Sequence, residues 1–342
     1  MSSPPEATVI VVNFNRVNLL ADCLRSLEAQ TYQNFEVVVV DNGSVDDSVE
    51  VLGKQFPHVR VVRNAENRGF CAANNQGFKA ANANKYFVLL NNDAVANPGW
   101  LEELVTTAEK FPRAGMVGSK IYVAGSERTI DKVGHLLYWD GQNRGQGAGE
   151  EDLGQYDQED ILWPDGCAAL YRREMIEQSG GFDEDFFAYA DDADLGLHGR
   201  LLGWEAKLAP RAVVWHHRGA TLGKHNLRRI QLIERNRLWL VWKHFPLRLV
   251  LLNPIFFGLR FLAMAKAGIA GEGEAGHFGG FRAKLGLAAA ILRANAEAWG
   301  GFTRMWSKRR ELRRQGHWHA ERFWDLLKKY RIRLGELSRQ KA

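Results

Sequence analysis

Three times in the first third of the chain, a run of β-branched and apolar residues stops at a cluster of short polar side chains. Thr8-Val9-Ile10-Val11-Val12 runs into Asn13-Phe14-Asn15, Phe35-Glu36-Val37-Val38-Val39-Val40 into Asp41-Asn42-Gly43-Ser44, and Tyr86-Phe87-Val88-Leu89-Leu90 into Asn91-Asn92-Asp93. Between them lie segments with helical spacing: Asn18 to Gln30, a stretch that Ser44 or Asp46 can cap, Gly69 to Ala83, and a helix opened by Pro98 and reaching about Phe111. Val59 to Val62 supplies one more strand. Continuous apolar strands alternating with helices predict an open, doubly covered α/β sheet with right-handed crossovers. Ligands of such sheets bind beyond the carboxyl ends of the strands, so three polar strand ends in series predict one binding rim.

The middle of the chain is less regular. Ile121-Tyr122-Val123 and His135 to Trp139 read as strands, Gln142 to Gly154 as a Gly- and Glu-rich mobile loop, and Trp163-Pro164-Asp165-Gly166 leads into the apolar run Cys167 to Tyr171. Next comes Asp183-Glu184-Asp185-Phe186-Phe187-Ala188-Tyr189-Ala190-Asp191-Asp192-Ala193-Asp194, followed by a helix from about Asp192 to Leu202. A solvated acidic face would not alternate with large aromatics, and a core segment would not carry so many charges. The mixture suits an active-site wall that holds one carboxylate near a substrate hydroxyl as a general base. An acidic helix N-terminus would also welcome Asp191 and Asp192.

Composition narrows the setting. Cys23, Cys71 and Cys167 are the only cysteines among 342 residues and lie far apart, which argues against a disulfide framework or a zinc site and suits a reducing cytosol. The first eight residues are polar, without the basic-then-apolar pattern of a signal peptide. The net charge of +5 is uneven: Thr303 to Ala342 carries thirteen Lys/Arg against four acids, so the body is slightly acidic. A basic tail points to a polyanionic partner, a membrane surface or a nucleic acid. No helix-turn-helix, zinc-finger or aromatic RNA-binding signature accompanies it, so no nucleic-acid partner is expected. From Leu227 the chain reads as helix throughout. Leu247 to Met264 is strongly apolar but interrupted by Arg248, Asn253, Pro254 and Arg260. That pattern favours amphipathic helices in a membrane interface over a clean span, with packing on the catalytic core as the alternative.

Taken in order, Val11-Val12-Asn13-Phe14-Asn15, Val40-Asp41-Asn42-Gly43-Ser44, Asn67-Arg68-Gly69-Phe70, Asn74-Asn75-Gln76-Gly77, Leu89-Leu90-Asn91-Asn92-Asp93, Gly181-Phe182-Asp183-Glu184, Asp191-Asp192-Ala193-Asp194 and His216-His217-Arg218-Gly219 resemble the family 2 glycosyltransferases, especially the bacterial rhamnosyltransferase-like branch. The resemblance covers roughly residues 7 to 245. It implies the GT-A fold, with a mostly parallel central sheet flanked by helices. The implied catalytic domain spans 7–226, with a donor half 7–115 and an acceptor half 116–226, and 227–342 forms a helical, membrane-associating extension.

The implied activity is inverting transfer from a nucleotide-diphosphate sugar to a glycan or lipid-linked acceptor in cell-surface polysaccharide synthesis, on the cytoplasmic face of the membrane. dTDP-rhamnose is the preferred donor, and a UDP-linked galactofuranose or N-acetylhexosamine the alternative. Asp41 matches the position that contacts base or ribose. Asn13, Asn15 and Asn42 line that cleft, and Asn67, Gly69 and Asn74 run beside the donor. Asn91-Asn92-Asp93 stands where the family carries its D-x-D metal motif, with Asn91 in place of the first Asp. The resemblance implies Mg2+ or Mn2+ held by Asp93, Asn91 and His216, which lies 25 residues after Asp191. Asp192 matches the catalytic base and Asp191 is expected to orient the acceptor. Asp194 is expected to pair with Arg200 or His198, and Trp163 and Asp165 to line the acceptor pocket.

Other readings fit less well. Gly145-Gln146-Gly147 does not join a first strand to a helix, as a dinucleotide fingerprint requires. The Q-x-x-R-W motif of processive synthases is missing. A non-catalytic relative of the fold is permitted by Asn91 and opposed by Asp93, Asp192 and His216.

Overall fold

The structure, a computed structural model, describes residues 4–217, 226–269 and 281–339. The strands are β1 (Ala7–Asn13), β2 (Phe35–Asp41), β3 (Arg60–Arg63), β4 (Tyr86–Leu90), β5 (Ala94–Ala96), β6 (Ala114–Val123), β7 (Ile130–Lys132), β8 (His135–Leu137), β9 (Asn143–Gly145), β10 (Ala168–Arg172) and β11 (Glu205–His216). The helices are α1 (Val17–Glu28), α2 (Ser48–Gln55), α3 (Gly69–Ala80), α4 (Trp100–Lys110), α5 (Arg173–Ser179), α6 (Asp191–Leu202), α7 (Leu227–His244), α8 (Leu247–Ile269), α9 (Phe281–Gly300), α10 (Phe302–Arg314), α11 (Ala320–Lys329) and α12 (Leu334–Arg339).

One nine-stranded sheet runs β3-β2-β1-β4-β10-β6-β11-β5, with β7 paired to β6. Strands alternate their side chains between its two faces, and both faces are covered. Val9 and Val11 of β1 and Val88 and Leu90 of β4 pack into one core with Leu20, Leu24 and Trp100. Ile10, Phe87 and Leu89 face the opposite core, with Phe78, Phe182 and Leu197.

The sheet is mostly parallel, as expected, six of its nine strands running one way. β1, β2, β3 and β4 are parallel, as is β6 with β11, but β10 is antiparallel to both β4 and β6, β5 to β11 and β7 to β6. After β6 the chain makes only the short excursions β7 to β9 and no crossover helix. It therefore re-enters the sheet from the end it left, and β10 runs backwards. The stretch expected as a mobile loop, Gln142 to Gly154, contains β9, which pairs with β8. Neither residue foreseen as a cap for α2 is its N-cap, which is Asp47 and makes no side-chain cap bond; Asp46 Oδ1 accepts the Ser48 N–H at 3.1 Å one residue earlier. Ser44 Oγ instead accepts the Asn15 N–H at 2.8 Å.

The C-terminal helices wrap the second core. α7 contributes the buried Trp239, Leu240, Val241 and Trp242, joined by Met305 of α10 and Phe323 of α11. Leu247–Ala267, with a mean hydropathy of 1.6, is long and apolar enough to cross a membrane. Its interruptions nevertheless have structural partners. Arg260 is buried between Asp140, at 2.7 Å, and a bidentate Glu234, at 2.8 and 2.9 Å, and Asn253 donates to the Asp140 carbonyl at 3.0 Å.

Candidate active site

The rim at the strand ends is a net of amides. Asn13, fully buried at the end of β1, donates to Asp41 Oδ1 at 3.3 Å and Ser44 Oγ at 3.1 Å, and accepts from Asn92 at 2.7 Å. Asn42 donates to Asn67 Oδ1 at 3.0 Å and to the Gly69 carbonyl at 3.2 Å, and accepts from Asn64 and the Arg68 N–H. Asn67 Oδ1 accepts the Gly69 N–H at 2.9 Å just ahead of α3, and the Asn74 amide donates to the Phe70 carbonyl at 2.9 Å. Asn15 has φ 59° and accepts from the Val45 N–H at 2.9 Å. The ends of β1, β2 and β4 are thus one hydrogen-bonded unit, as the polar clusters predict. Gly69 has φ +84°, and a Cβ there would lie 2.5 Å from the Phe187 ring, so this donor-side turn abuts the acidic-aromatic segment.

A second group of residues is charged. Asp93, just past β4, faces His216 at the end of β11, with Oδ1 3.3 Å from Nε2. Asp131 of β7 takes Nδ1 of the same ring at 2.7 Å. That contact fixes the ring and directs Nε2 at Asp93, the arrangement in which a carboxylate behind an imidazole orients it as a metal ligand. Burial would lower the imidazole pKa, but Cys167, Asp131 and Asp93 raise it well above the usual value. A cation bound here would therefore displace a proton. The carboxylate oxygen and imidazole nitrogen together could hold a divalent cation, the oxygen suiting Mg2+ or Mn2+ and the nitrogen a transition metal such as Mn2+ over Mg2+. Asn91 is half-buried beside it, its backbone N–H bonded to the Cys167 carbonyl at 2.8 Å. Of the four-residue histidine motif, Arg218 and Gly219 lie outside the described residues.

The neighbouring residue on β7 turns to the other pole. Lys132 Nζ lies 2.6 Å from Asp165 Oδ2, which also meets His135 Nε2 at 3.1 Å, and His135 Nε2 reaches Asp192 Oδ2 at 3.2 Å. Burial opposes charge on His135, yet Asp192 and Asp165 raise its pKa to about 9. Burial likewise pushes Asp165 up, and Lys132 with His135 holds it well below the carboxylate range. His135, Asp165 and Asp192 bring ligand atoms within 4.8 Å of one another, a set that could hold a cation. Lys132 and the imidazolium already supply the positive charge there, so the Asp93–His216 pair is the better match for a metal.

Asp191 and Asp192 open α6. Asp191 is buried, and burial with the charge of Asp192 raises its carboxyl well above the ordinary range. The loop before them is strained: Phe187, Tyr189 and Ala190 all have positive φ. Asn236 of α7 holds it, its amide nitrogen lying within 2.7–2.9 Å of the carbonyls of Phe186, Ala188 and Tyr189, while Arg235 adds a bond to Phe186. α7, placed by the sequence in the extension, therefore holds the loop that leads into Asp191 and Asp192.

Three expectations are revised. Trp163 is fully buried, with no ring face open to a sugar; it stacks under His135 with centroids 6.1 Å apart and lies against Gly196, where a Cβ would come within 2.4 Å. Asp165 is present but committed to Lys132, His135 and the Cys167 N–H. Asp194 pairs with Lys243 at 2.7 Å and His244 at 2.8 Å, not with Arg200 or His198. Burial, with the nearby charge of His244 and Lys243, lowers the His198 pKa to about 3 and keeps that ring neutral. Sequence reasoning missed Asp131, Lys132, His135 and Asn236. Only Asp131-Lys132 carried a signal, as adjacent opposite charges on a short strand.

A mixed sheet covered on both faces, with amides and carboxylates at its strand ends and a helical C-terminal region, defines a GT-A glycosyltransferase. The profile described as "Glycosyl transferase family 2" matches residues 8–180, and the chain belongs to that family. It falls in the rhamnosyltransferase-like branch. The N-acetylglucosaminyl-diphospho-decaprenol L-rhamnosyltransferase of Mycobacterium tuberculosis (strain H37Rv) is 28% identical over 271 residues, covering 70% of this chain and 87% of that protein. The O-antigen biosynthesis protein RfbC of Myxococcus xanthus is 30% identical over 249 residues, covering 69% of this chain but only 19% of that protein. Among solved structures, the mannosyltransferase PcManGT of Pyrobaculum calidifontis, in complex with GDP-Man and Mn2+, aligns with a TM-score of 0.51 and 20% identity over 95% of this chain and 88% of that one. GalNAc-T7 with UDP, GalNAc and Mn2+ aligns with a TM-score of 0.56 and 14% identity over 71% and 49%. At these identities the likeness is one of fold.

Proposed function

We propose that the protein transfers a sugar from a nucleotide-diphosphate donor to a lipid-linked or glycan acceptor with inversion at the anomeric carbon, and that rhamnose from a dTDP donor is the group transferred. The observation that carries the reading is the pair of poles joined by β7: Asp131 fixes His216 opposite Asp93, and Lys132 fixes the Asp165–His135–Asp192 chain. Asp41, Asn13, Asn15, Asn42, Asn67, Gly69, Asn74 and Asn92 form the donor rim, Asp41 facing base or ribose. Asp93, His216 and Asn91 would hold Mg2+ or Mn2+, which when bound neutralises charge on the departing diphosphate.

Asp192 takes the acceptor proton. As that hydroxyl oxygen bonds to the anomeric carbon from one side, the bond to the diphosphate oxygen breaks on the other, and its electron pair leaves with the nucleotide. The His135 imidazolium holds the Asp192 carboxylate in place, and Trp163 holds the imidazole. Asp191, which keeps its proton more tightly than an ordinary aspartate, orients the acceptor. The C-terminal extension keeps the enzyme on the cytoplasmic membrane surface, where a lipid-linked acceptor resides.

The test is a panel of dTDP-, UDP- and GDP-sugars with and without Mn2+, scored by nucleotide release and by the anomeric configuration of the product. Metal-dependent release from dTDP-rhamnose with inverted product supports the reading. Release confined to UDP-sugars replaces the donor, and no release from any of them overturns the reading.

A further inference from the structure

Helix α8 is built inside out. Two polar residues near its middle point into the protein: Asn253 and Arg260 are 4% and 3% exposed and bound to Asp140, Glu234 and Arg237. Burial would raise the Glu234 pKa, but Arg260 and then Arg237 lower it to about 2, so this buried network is ionised. Its apolar residues point out: Leu247, Leu251, Leu252, Ile255, Leu259 and Leu262 are 43–71% exposed. At about 100° per residue these six fall on one arc of about 140°, opposite Asn253 and Arg260. A stripe of this length on a folded surface needs an apolar cover.

Two observations say what covers it. Arg248 and Lys266, both exposed, lie on the same arc near its two ends, and Leu247–Ile269 contains no acid. The face is thus apolar along its length and cationic at its ends, the chemistry of an anionic bilayer surface. The helix is also long enough to span, but spanning would pull Arg260 from two buried carboxylates, and stranding such charges is strongly unfavourable.

We propose that α8 lies flat in an anionic lipid surface, Leu251, Ile255 and Leu262 immersed and Arg248 and Lys266 at the headgroups, with its inner face still pinned to the catalytic unit. The same helix then ties the membrane to the loop before Asp191, because Glu234, which pairs with Arg260, and Arg237, which donates to Asn253, sit on α7 beside Asn236. The inference deepens the membrane-surface reading above but needs neither donor nor acceptor to be tested.

The test is flotation of the full chain with phosphatidylglycerol-containing vesicles and with phosphatidylcholine vesicles, without substrate. Wild type floats with the anionic vesicles. The exposed triple exchange Leu251→Gln, Ile255→Gln and Leu262→Gln weakens partitioning by about a hundredfold, and Arg248→Glu with Lys266→Glu by about tenfold or more on the anionic vesicles. Nitroxides on Leu251→Cys and Leu262→Cys report equal shallow depths, whereas a spanning helix would separate them by about 16 Å. The proposal is overturned if wild type floats with neither vesicle, if the triple variant floats like wild type, if the two depths differ as in a span, or if the triple exchange abolishes self-association rather than lipid binding. Vesicle binding that persists when no donor is turned over would sink the enzyme reading alone. Lost flotation with intact transfer to a water-soluble acceptor isolates this surface.

Discussion

The two sides of the site are held by different chemistry. On the donor side, Asn13, Asn42, Asn67, Asn74 and Asn92 hydrogen-bond to one another, to Asp41 and to backbone. On the proposed catalytic side the residues are charged: Asp131 pairs with His216, and Lys132, Asp165, His135 and Asp192 form a separate chain of ion pairs. A net mostly of amides fixes shape while presetting little charge, and so suits the proposed role of a rim that receives a polyanion. An ionised chain fixes charge, and suits the groups that must hold a cation or take a proton. Removing a neutral link loses about 1 kcal/mol, whereas breaking a buried ion pair strands its partner and costs several times more.

Predictions that would break or sharpen this contrast run from large to small. Asp192→Asn lowers turnover by about 10²- to 10⁴-fold, checked by nucleotide release in the presence of acceptor. Unchanged turnover would remove Asp192 from the role. Asp131→Asn, which never touches substrate, weakens Mn2+ affinity by about 10- to 100-fold through His216, read by titration calorimetry, and metal affinity rises with pH because the raised His216 proton must leave. Asn236→Ala frees the strained loop: kcat falls about tenfold with donor KM unchanged, the split expected when only base placement is disturbed. His135 adds a pH signature. Its folded pKa, about 9, lies above the 6.5 of the free side chain. Its stabilisation is therefore complete below that free value and is lost as pH rises through about 9. The thermal midpoint of His135→Gln should approach wild type as pH passes that range. The smallest effect is on the neutral side: Asn92→Ala raises donor KM by a few-fold, about 1 kcal/mol, with kcat unaltered.

The same contrast explains what could be read in advance. The donor rim follows from strand ends, because a polar cluster after a β-branched run has few places to be in an α/β sheet. Motif order singled out Asp93, His216 and Asp192, and the structure brings Asp93 to His216. Asp131, Lys132 and His135 were hidden because they come from β7 and β8, three-residue strands too short for periodicity to fix which way a side chain points. Asn236 was invisible because α7 reads as an amphipathic helix, and nothing local says that one amide will meet a loop more than forty residues earlier. Trp163 could equally have been platform or wall, and only its burial under His135 decides it.

The central claim is that metal-dependent donor binding and proton removal reside on separable poles. Titration of donor into wild type, Asp93→Ala and Asp192→Asn, each with and without Mn2+, tests it directly. The account predicts Mn2+-dependent donor binding in wild type and Asp192→Asn alike, and its loss in Asp93→Ala. Equal loss of donor binding in both variants, or Mn2+-dependent binding preserved in Asp93→Ala, would contradict it.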